Sequence, residues 1–545
     1  MASRALTGIN LRSTPQSEQA TPEQVPNSAG GHVFAVTPET RLRRFLTLGT
    51  DGGTYYVGQK ELTKDNAATV LDFARNRATD LVAEIVTISE AGRAPKQDPA
   101  VFALAAASAL GDPDGRRAAL AALPRVCRTG THLFLFATYV QQFRGWGRGL
   151  RRAVADWYTS KDVDRLAYQL VKYRQREGWT HRDLLRLAHP QAVDARNDLF
   201  KWVTHPDTAD VPDLPVVRAF LDAQAATTVP EWVGIVDRDA GLSWEMLPDG
   251  ALNEKAVWEA LLHYGVPQTA LIRQLPRLTR IGLFTPGSQW TGKVAAQLAD
   301  PERLVKGRVH PVNVLIAART YASGVSARGT GTWSPNGRIV DALDAAFYAA
   351  FGSVRKTGKR HLLALDVSGS MTVGISGLPI TCREASVAIA LVTAAVEPDT
   401  TIVGFTGGVG RWGGYTFPNG TTTDPLTVLS VSPRQRLDDA IRSVANLPFG
   451  GTDCALPAVW ARENGHDFDA ITVFTDSETW AGAVHPFQAL TQYRQQVGHD
   501  VKQVVVGMTS TNFTIADPRD ASSIDVAGFD SAVPNLIADF AAGDL

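Results

Sequence analysis

The chain has 545 residues, of which 44% are apolar and 20% charged, the balance of a folded protein with more than one hydrophobic core. Its formal net charge of −1 excludes a uniformly cationic surface, and neither an apolar run of about eighteen residues nor an N-terminal apolar segment predicts a membrane span or a secretory signal. Cys127, Cys382 and Cys454 are far apart and odd in number, so we expect no disulfide framework or zinc site and predict a cytoplasmic protein.

The first part of the chain is predicted to be a tail followed by helices. Residues 1–30 are rich in Ser, Thr, Pro, Gln and Gly, which predicts disorder. Residues 31–350 contain short segments with apolar faces between Gly or Pro breaks, most clearly at 66–82, 98–109, 116–126 and 131–142. Such a series predicts stacked helix pairs in the manner of HEAT repeats, with a simple all-α domain as the alternative. Residues 193–252 are irregular, and we expect surface loops and short helices there.

Positive charge is concentrated inside the predicted helical region. Residues 115–186 hold 15 Lys and Arg against 5 Asp and Glu, a local charge of +10. Residues 351–545 hold 13 against 20 and are acidic. Basic charge confined to one region of a near-neutral chain indicates contact with a polyanion rather than a generally cationic surface.

The basic region places its cations at helical spacing. Arg148, Arg151 and Arg152 fall on one face of a predicted helix. A second predicted helix, from residue 165 to about 176, presents cations four residues apart, and a third begins after Thr180. These two helices carry Lys172, Arg174 and Arg176, and then His181 and His189. Cationic and aromatic groups suit phosphates and unpaired bases, but a solvated helix face has the same pattern. The residues alone leave nucleic-acid binding and a protein-binding helical array as alternatives.

The last part of the chain, residues 358–545, alternates apolar runs of strand length with helical patterns. The predicted strands cover 361–366, 401–405, 470–476 and 502–507, and the predicted helices cover 383–396 and 433–444. Continuous Val, Ile and Leu runs are typical of strands buried on both faces of a parallel sheet. We therefore predict an α/β domain with an open parallel sheet.

Oxygen-bearing side chains follow the ends of these predicted strands. They are Asp366, Ser368, Ser370, Thr452 and Asp476. Carboxylates and hydroxyls suit a hard dication, most simply Mg²⁺, and ligands of open α/β sheets bind at the carboxyl ends of the strands. The D-x-S-x-S pattern with a later Thr and Asp resembles the metal-ion-dependent adhesion site (MIDAS) of von Willebrand factor A domains.

Longer motifs resemble the TROVE module of the Ro autoantigen family. They include RLRRFLTLGTDGGTYY and KYRQREGWTHRDLLRLAH, and they lie at 41–56, 131–134, 146–148, 155–158, 172–189, 308–311, 356–360, 450–457, 474–480 and 513–518. The resemblance runs from about residue 38 to the C-terminus. It implies a ring of HEAT-like helical repeats at 31–350, closed by a von Willebrand factor A domain at 358–545.

The resemblance also implies a function. Family members bind Y-type small noncoding RNAs on the outer surface of the ring and admit single-stranded 3′ ends of misfolded RNAs into its hole, for RNA quality control. In bacteria a Y RNA can tether the protein to an exoribonuclease, polynucleotide phosphorylase. The family's RNA-contact positions correspond to Lys172, Arg176 and His189 of this chain, and we expect a monomeric ribonucleoprotein subunit that is not an enzyme.

Two other functional classes compete with this interpretation. An adhesion-type scaffold would use the predicted metal to bind an acidic protein ligand. A metal-dependent nuclease or ATPase would need catalytic groups, but the chain contains no G-x-x-x-x-G-K-[ST] and no H-E-x-x-H motif.

Overall fold

The structure, a computed structural model, describes residues 13–49, 59–192, 194–238, 241–326, 330–352, 354–375, 380–407, 424–432, 435–445, 447 and 450–545. Its contacts divide the chain into two compact units. The helical unit comprises Val70–Gly92 and Lys96–Ala350, and the sheet unit comprises Met1–Thr69, Arg93–Pro95 and Phe351–Leu545. The predicted boundaries of the helical module therefore differ from the compact units, because the N-terminal segment belongs with the sheet.

The N-terminal segment differs from the predicted tail. Strands β1 (Gln24–Pro26) and β2 (His32–Ala35) pair with each other, and β2 pairs with a strand near the C-terminus, Phe513–Thr514. Helix α1 (Pro38–Leu48) follows, with Thr37 as its N-cap. Composition predicts disorder for residues 13–30 because few of them are apolar, but hydrogen bonds to the sheet unit order them instead.

The helical unit is built from consecutive helices, which confirms the predicted fold class. They are α2 (Gln59–Asn76, which crosses the boundary between the units), α3 (Ala78–Ala91), α4 (Asp98–Leu110), α5 (Pro113–Val126), α6 (Gly130–Phe143), α7 (Arg148–Thr159), α8 (Val163–Lys172), α9 (His181–Ala188), α10 (Asp194–Thr204), α11 (Pro215–Ala225), α12 (Val229–Arg238), α13 (Lys255–Tyr264), α14 (Gln268–Arg280), α15 (Gln289–Leu298), α16 (Pro301–Lys306), α17 (Pro311–Ser323) and α18 (Gly337–Ala349). Short 3₁₀ turns lie at Trp244–Met246 and Ala251–Asn253, and a small hairpin, β3 (Gln175–Arg176) and β4 (Trp179–Thr180), separates α8 from α9.

In the first half of the helical unit, most helix contacts join sequence neighbours or next neighbours. Helix α3 contacts α4 and α5, α4 contacts α6, α5 contacts α7, and α7 contacts α9. This pattern is that of a stacked helical array, in which each apolar stripe is covered by the next repeat. Capping residues define several starts; the Asp112 carboxylate accepts from Gly115 N at 2.8 Å just before Pro113 opens α5. No helix of the described residues is both long and apolar enough to cross a membrane.

The sheet unit contains the predicted open sheet. Its strands are β5 (His361–Asp366), β6 (Thr400–Phe405), β7 (Leu426–Val428), β8 (Ala470–Thr475), β9 (Lys502–Gly507) and β11 (Ser523–Ala527), in the order β11-β9-β8-β5-β6-β7, while β10 (Phe513–Thr514) pairs with β2. All neighbours are parallel except β7, an antiparallel edge strand. The four predicted strands agree with β5, β6, β8 and β9 to within one residue, as expected for continuous apolar runs.

Helices cover this sheet, and their starts are marked by caps. They are α19 (Cys382–Val396), α20 (Leu437–Ala445), α21 (Leu456–Glu463), α22 (Pro486–Val497) and α23 (Val533–Ala542), and a 3₁₀ turn covers Gly369–Thr372. Thr381 and Glu384 form a capping box at the start of α19. All three cysteines are buried free thiols.

Candidate functional site

The first of two candidate sites lies where the central strands of the sheet end. Asp366 is the last residue of β5, and the register Leu365↔Phe474 places it beside Thr475 at the end of β8. The Thr475 hydroxyl donates to Oδ2 of Asp366 at 2.7 Å, and the Ser368 backbone N–H donates to its Oδ1 at 2.9 Å. Ser368 and Ser370 follow, with their hydroxyl oxygens 3.0 Å apart.

Two further loops complete this cluster. The loop that carries Thr452 is tied to the end of β6, because Thr406 Oγ1 accepts from Gly450 N and donates to the Gly451 carbonyl. The loop after β8 is hydrogen-bonded to the Thr452 loop: the backbone N–H groups of Trp480 and Ala481 both donate to the Thr452 carbonyl at 3.0 Å. Asp476, the residue after β8, accepts from Glu478 N at 3.0 Å. The parallel topology therefore brings three separate segments to one edge.

The chemistry of this cluster fits a small dication. All five oxygen-bearing side chains predicted as ligands are buried: Asp366, Ser368, Ser370, Thr452 and Asp476. Among them, Thr452 Oγ1 and Asp476 Oδ2 are buried without a hydrogen-bond partner among the described residues, which is costly unless a bound group satisfies them. Burial raises the pKa of both carboxyl groups, and their mutual repulsion adds to the rise for Asp476. A divalent cation would offset both penalties.

The second candidate site is the basic surface of the helical unit, which we define as the exposed cations between Arg148 and His189. Helix α7 presents Arg148, Arg151 and Arg152 to solvent while Leu150, Val154 and Trp157 are buried. The i, i+3, i+4 spacing therefore gives one cationic face, as the sequence predicts. Arg152 is 86% exposed, and its 3.9 Å approach to Asp156 is too loose to hold it.

Arg176 lies on a hairpin rather than on a helix, so the predicted helix from 165 to 176 is wrong in its last turn. Helix α8 ends at Lys172, and Arg176 in β3 pairs with Trp179 in β4. Glu177 and Gly178 between them both have positive φ, at 53° and 77°, as a two-residue turn of the primed type requires. Arg176 is 65% exposed at this turn.

Aromatic contacts attach the hairpin to its neighbours. The Trp146 ring, just before α7, lies 5.8 Å from the Trp179 ring in β4. The hairpin therefore lies beside the start of the cationic face of α7. Arg174 is exposed, with its guanidinium 5.0 Å from the Phe220 ring. The structure thus brings Arg148 and Arg176, which belong to different elements, onto neighbouring parts of one surface.

Lys172 occupies a different environment from the other predicted contacts. Its side chain is only 8% exposed, and Nζ lies 3.4 Å from Glu245 and 3.1 Å from the Tyr168 hydroxyl. Burial lowers its pKa, and Tyr168, Tyr173 and Glu245 raise it, with a net rise. Lys172 is therefore a charged side chain that is already paired, and binding a phosphate would require it to leave Glu245.

The two histidines predicted to contact RNA also lie in different environments. His189 ends α9 in the left-handed conformation, with φ of 48°, and is exposed. His181 is buried, and its Nδ1 lies 2.8 Å from the Tyr158 hydroxyl between the Phe134 and Trp157 rings. His181 therefore does not belong to the basic surface. It is the first residue of α9 and packs in the core where α9 contacts α7.

His181 should make stability depend on pH. Burial lowers its pKa to about 3, so the unfolded chain binds a proton more readily, and stability falls as pH drops from 6.5 towards 3. His181 alone should cost about 1.4 kcal/mol of unfolding free energy between pH 7.5 and 5.5.

Urea unfolding of wild type and His181→Asn at both pH values measures this contribution. The fall in unfolding free energy between pH 7.5 and pH 5.5 should be about 1.4 kcal/mol smaller in the variant than in wild type. Half-buried His132, whose pKa burial lowers to about 4, stays in both proteins, so its contribution cancels. Equal pH dependence in the two proteins would contradict the buried neutral role of His181.

The sequence did not predict a third group of cations. Arg273, Arg277 and Arg280 recur at i, i+4 and i+7 along α14 and line a cavity of about 640 Å³ in the helical unit, together with Thr320 and Trp333. Arg277 Nη1 is buried there without a hydrogen-bond partner in the part of the chain that the structure describes. The spacing is visible in the sequence, but the net charge around α14 is not high enough to draw attention to it.

Two models of known protein families match the chain. The family model described as "TROVE domain" matches residues 25–209 and 239–320, and the model described as "Ro60 vWA domain" matches residues 360–541. The gap between the two parts of the TROVE match, residues 210–238, lies inside the region 193–252 that the sequence shows as irregular.

Relatives match over nearly the whole chain. A protein of Deinococcus radiodurans named "RNA-binding protein RO60" is 40% identical over 99% of both chains, and a Caenorhabditis elegans protein of the same name is 35% identical over 97% of this chain and 92% of its own. The crystal structure of the Deinococcus radiodurans RO (RSR) protein superposes with a TM-score of 0.68 at 39% identity, over 93% of this chain and all of that one.

Proposed function

The chain belongs to the Ro family, whose TROVE and Ro60 vWA domains it carries, and on that premise we propose that it is an RNA-binding protein that acts by binding rather than by catalysis. The observation that carries the proposal is the basic surface on α7, the β3–β4 hairpin and the end of α9. Its arginines protrude into solvent from elements that are themselves well packed. Both named relatives are RNA-binding proteins.

The proposed partner of the basic surface is a structured small noncoding RNA of the Y type. Guanidinium groups on one helix face and on an adjacent turn can contact phosphates on successive nucleotides. His189, at the exposed end of α9, can reach a base or a phosphate beside them. Within this set we place Arg176, Arg148, Arg151 and His189 first and Arg152 and Arg174 second. Lys172 is not placed in this set because its ammonium group is already paired with Glu245 and Tyr168.

The cavity beside α14 supports a second RNA contact. Its arginines have no acidic partner among the described residues, and their side chains suit the phosphates of a single strand, such as the 3′ end of a misfolded RNA. An RNA held at both places would present its end for quality control, and an exoribonuclease such as polynucleotide phosphorylase would then degrade it.

Replacing the α14 arginines tests the proposed single-strand contact independently of the basic surface. For Arg273→Ala/Arg277→Ala/Arg280→Ala, we expect about tenfold weaker binding of a duplex with a single-stranded 3′ tail, and a log–log salt slope smaller by about 2. A blunt duplex should bind the variant as tightly as it binds wild type. Fluorescence anisotropy at KCl concentrations from about 50 to about 300 mM measures both.

A charge-matched variant controls for net charge. Lys255→Ala/Arg303→Ala/Lys306→Ala removes the same charge from exposed positions on α13 and α16. It should bind both RNAs like wild type. Equal weakening of tailed and blunt RNA by the α14 variant would contradict a contact with the single strand.

We also propose that the sheet unit binds Mg²⁺ through Asp366, Ser368, Ser370, Thr452 and Asp476. The unpartnered oxygens of Thr452 and Asp476 support it, since among the described residues they are the ligand atoms a cation would satisfy. A bound dication with an open coordination position attracts carboxylates. This favours, as a second function, an acidic protein ligand docked at the metal.

A further inference from the structure

The N-terminal strap, residues 13–36, makes its contacts beside the proposed metal site. Its backbone enters the sheet unit through β1 and β2, and β2 pairs with β10 in the register Phe513↔Ala35. Buried amide side chains before β1 and between β1 and β2 contact the loops that carry Thr452 and Asp476. The strap is distant from these loops in sequence but adjacent to them in the fold.

Gln16 joins the strap to both loops at once. It is fully buried, its Nε2 donates to Oδ1 of Asp453 at 2.6 Å, and its Oε1 accepts from the Thr479 hydroxyl. The same Thr479 oxygen accepts from the Cys454 N–H at 3.0 Å. Gln16 therefore bonds to the residue after Thr452 and to a residue that itself bonds to the Thr452 loop.

Asn27 holds the backbone that follows Asp476. Its Nδ2 donates to the Thr479 carbonyl at 2.8 Å and to the Ser477 carbonyl at 3.3 Å. Ser477 has a φ of 64°, a conformation that a non-glycine residue keeps only where its surroundings impose it. A strained residue directly after a proposed ligand is thus held by a side chain from the strap.

The strap packs on this backbone without space to spare. Ala29 N donates to Oε2 of the buried Glu478 at 3.1 Å. A Cβ on Gly31 would lie 1.9 Å from the Thr479 carbonyl oxygen, so only glycine allows this approach. The strap and the loop after β8 are therefore in direct backbone contact.

We propose that the strap positions the metal loops, with Gln16 and Asn27 as positioning residues that set the affinity for the dication. The inference rests on the proposed metal site. Mg²⁺ demands near-octahedral geometry, so small shifts of Thr452 or Asp476 weaken Mg²⁺ binding. Residues that orient metal ligands typically contribute about tenfold to a hundredfold in metal affinity. By linkage, bound Mg²⁺ stabilises the strap to the same extent.

The test is calorimetric titration of the full chain with Mg²⁺. Asn27→Ala should bind Mg²⁺ about tenfold more weakly than wild type, and Gln16→Ala at least as weakly. The matched control is Glu23→Ala, a strap residue that pairs with Arg519, outside both loops; it should bind like wild type. Melting of each metal-free protein, recorded in parallel, fixes a temperature at which all are folded.

Hydrogen exchange gives a readout that a purely structural strap would not move. Adding Mg²⁺ should slow exchange of the Ala29 and Gly31 amides about tenfold in wild type but not in Asp366→Ala. Asn27→Ala that melts earlier yet binds Mg²⁺ with wild-type affinity would overturn the positioning role. Absence of Mg²⁺ binding by wild type itself would overturn the proposed metal site and, with it, this inference.

Discussion

Arg148→Ala/Arg151→Ala/Arg176→Ala should bind a structured RNA about a hundredfold more weakly than wild type, at about 1 kcal/mol for each lost phosphate contact. All three side chains are exposed, and none has a firm acidic partner among the described residues: the closest approach is Arg176 to its neighbour Glu177 at 3.5 Å. Their loss should leave the fold intact, because the buried face of α7 and the Trp146–Trp179 contact remain.

Salt dependence distinguishes this result from a general loss of charge. The slope of log affinity against log salt should fall by about 3 in the triple variant, since each phosphate contact releases about one counterion. Lys255→Ala/Arg303→Ala/Lys306→Ala removes the same charge elsewhere in the helical unit and should keep the wild-type slope. If the two variants lose affinity equally, net charge and not this surface binds the RNA.

Asp366→Ala should abolish Mg²⁺ binding, a loss of more than about a hundredfold, because it removes a ligand at the centre of the cluster. At a Mg²⁺ concentration about 100 times the Kd, wild type gains about 2.7 kcal/mol. In a domain of this size the gain raises Tm by about 5–10 °C. The variant should show no such shift, and its RNA affinity should equal that of wild type.

The pH dependence of the Mg²⁺ effect follows from the two carboxyl groups. Burial raises the pKa of Asp366 and Asp476, so in the metal-free protein stability falls as pH rises through these pKa values. Mg²⁺ displaces the protons from these carboxyl groups, so the rise in Tm on adding Mg²⁺ should be larger at pH 8 than at pH 6. Asp438→Ala, which removes a half-exposed carboxylate paired with Arg442 in α20, is the control. An unchanged shift in Asp366→Ala would refute the site.

The sheet and its cluster of oxygen-bearing side chains were largely predictable from the sequence. The runs that form β5 and β9 are apolar almost without interruption, as strands buried on both faces require. Because parallel strands end at a common edge, the convergence of Asp366 and Asp476 followed from topology alone. The helical array was predictable in type, since each helix keeps its own apolar face and start signal.

The basic surface was predictable in place but not in detail. Glu177 in a left-handed conformation gives no sequence signal of the kind that Asn-Gly or Asp-Gly gives, so the spacing predicts helix where the hairpin lies. His181 lies at i, i+3, i+4 and i+7 with the buried Leu184, Leu185 and Ala188, so the helical spacing already indicates a core position, and the packing of Tyr158 and Phe134 around it agrees. The pairing of Lys172 was not predictable in this way, because it depends on Glu245, which is distant in sequence.

The first part of the N-terminal strap could not be predicted because hydrogen bonds hold it, whereas apolar burial of the strap comes from β2, where Val33 and Phe34 are buried. Gln16 and Asn27 are polar residues in a segment whose composition is that of a flexible tail. Their partners, Asp453 and Thr479, lie more than four hundred residues away. A polar side chain that finds all its partners in a buried place is as well fixed as an apolar one.

The central claim is that RNA binds the helical unit on the basic surface. Ultraviolet crosslinking of the full chain to RNA in its host, followed by mass spectrometry of the crosslinked peptides, tests it whichever RNA is bound. Crosslinks should concentrate in α7, the β3–β4 hairpin and α9, with Trp146, Arg176 and His189 among the modified residues. Crosslinks confined to residues 360–541, or none above the background of the triple arginine variant, would contradict the account.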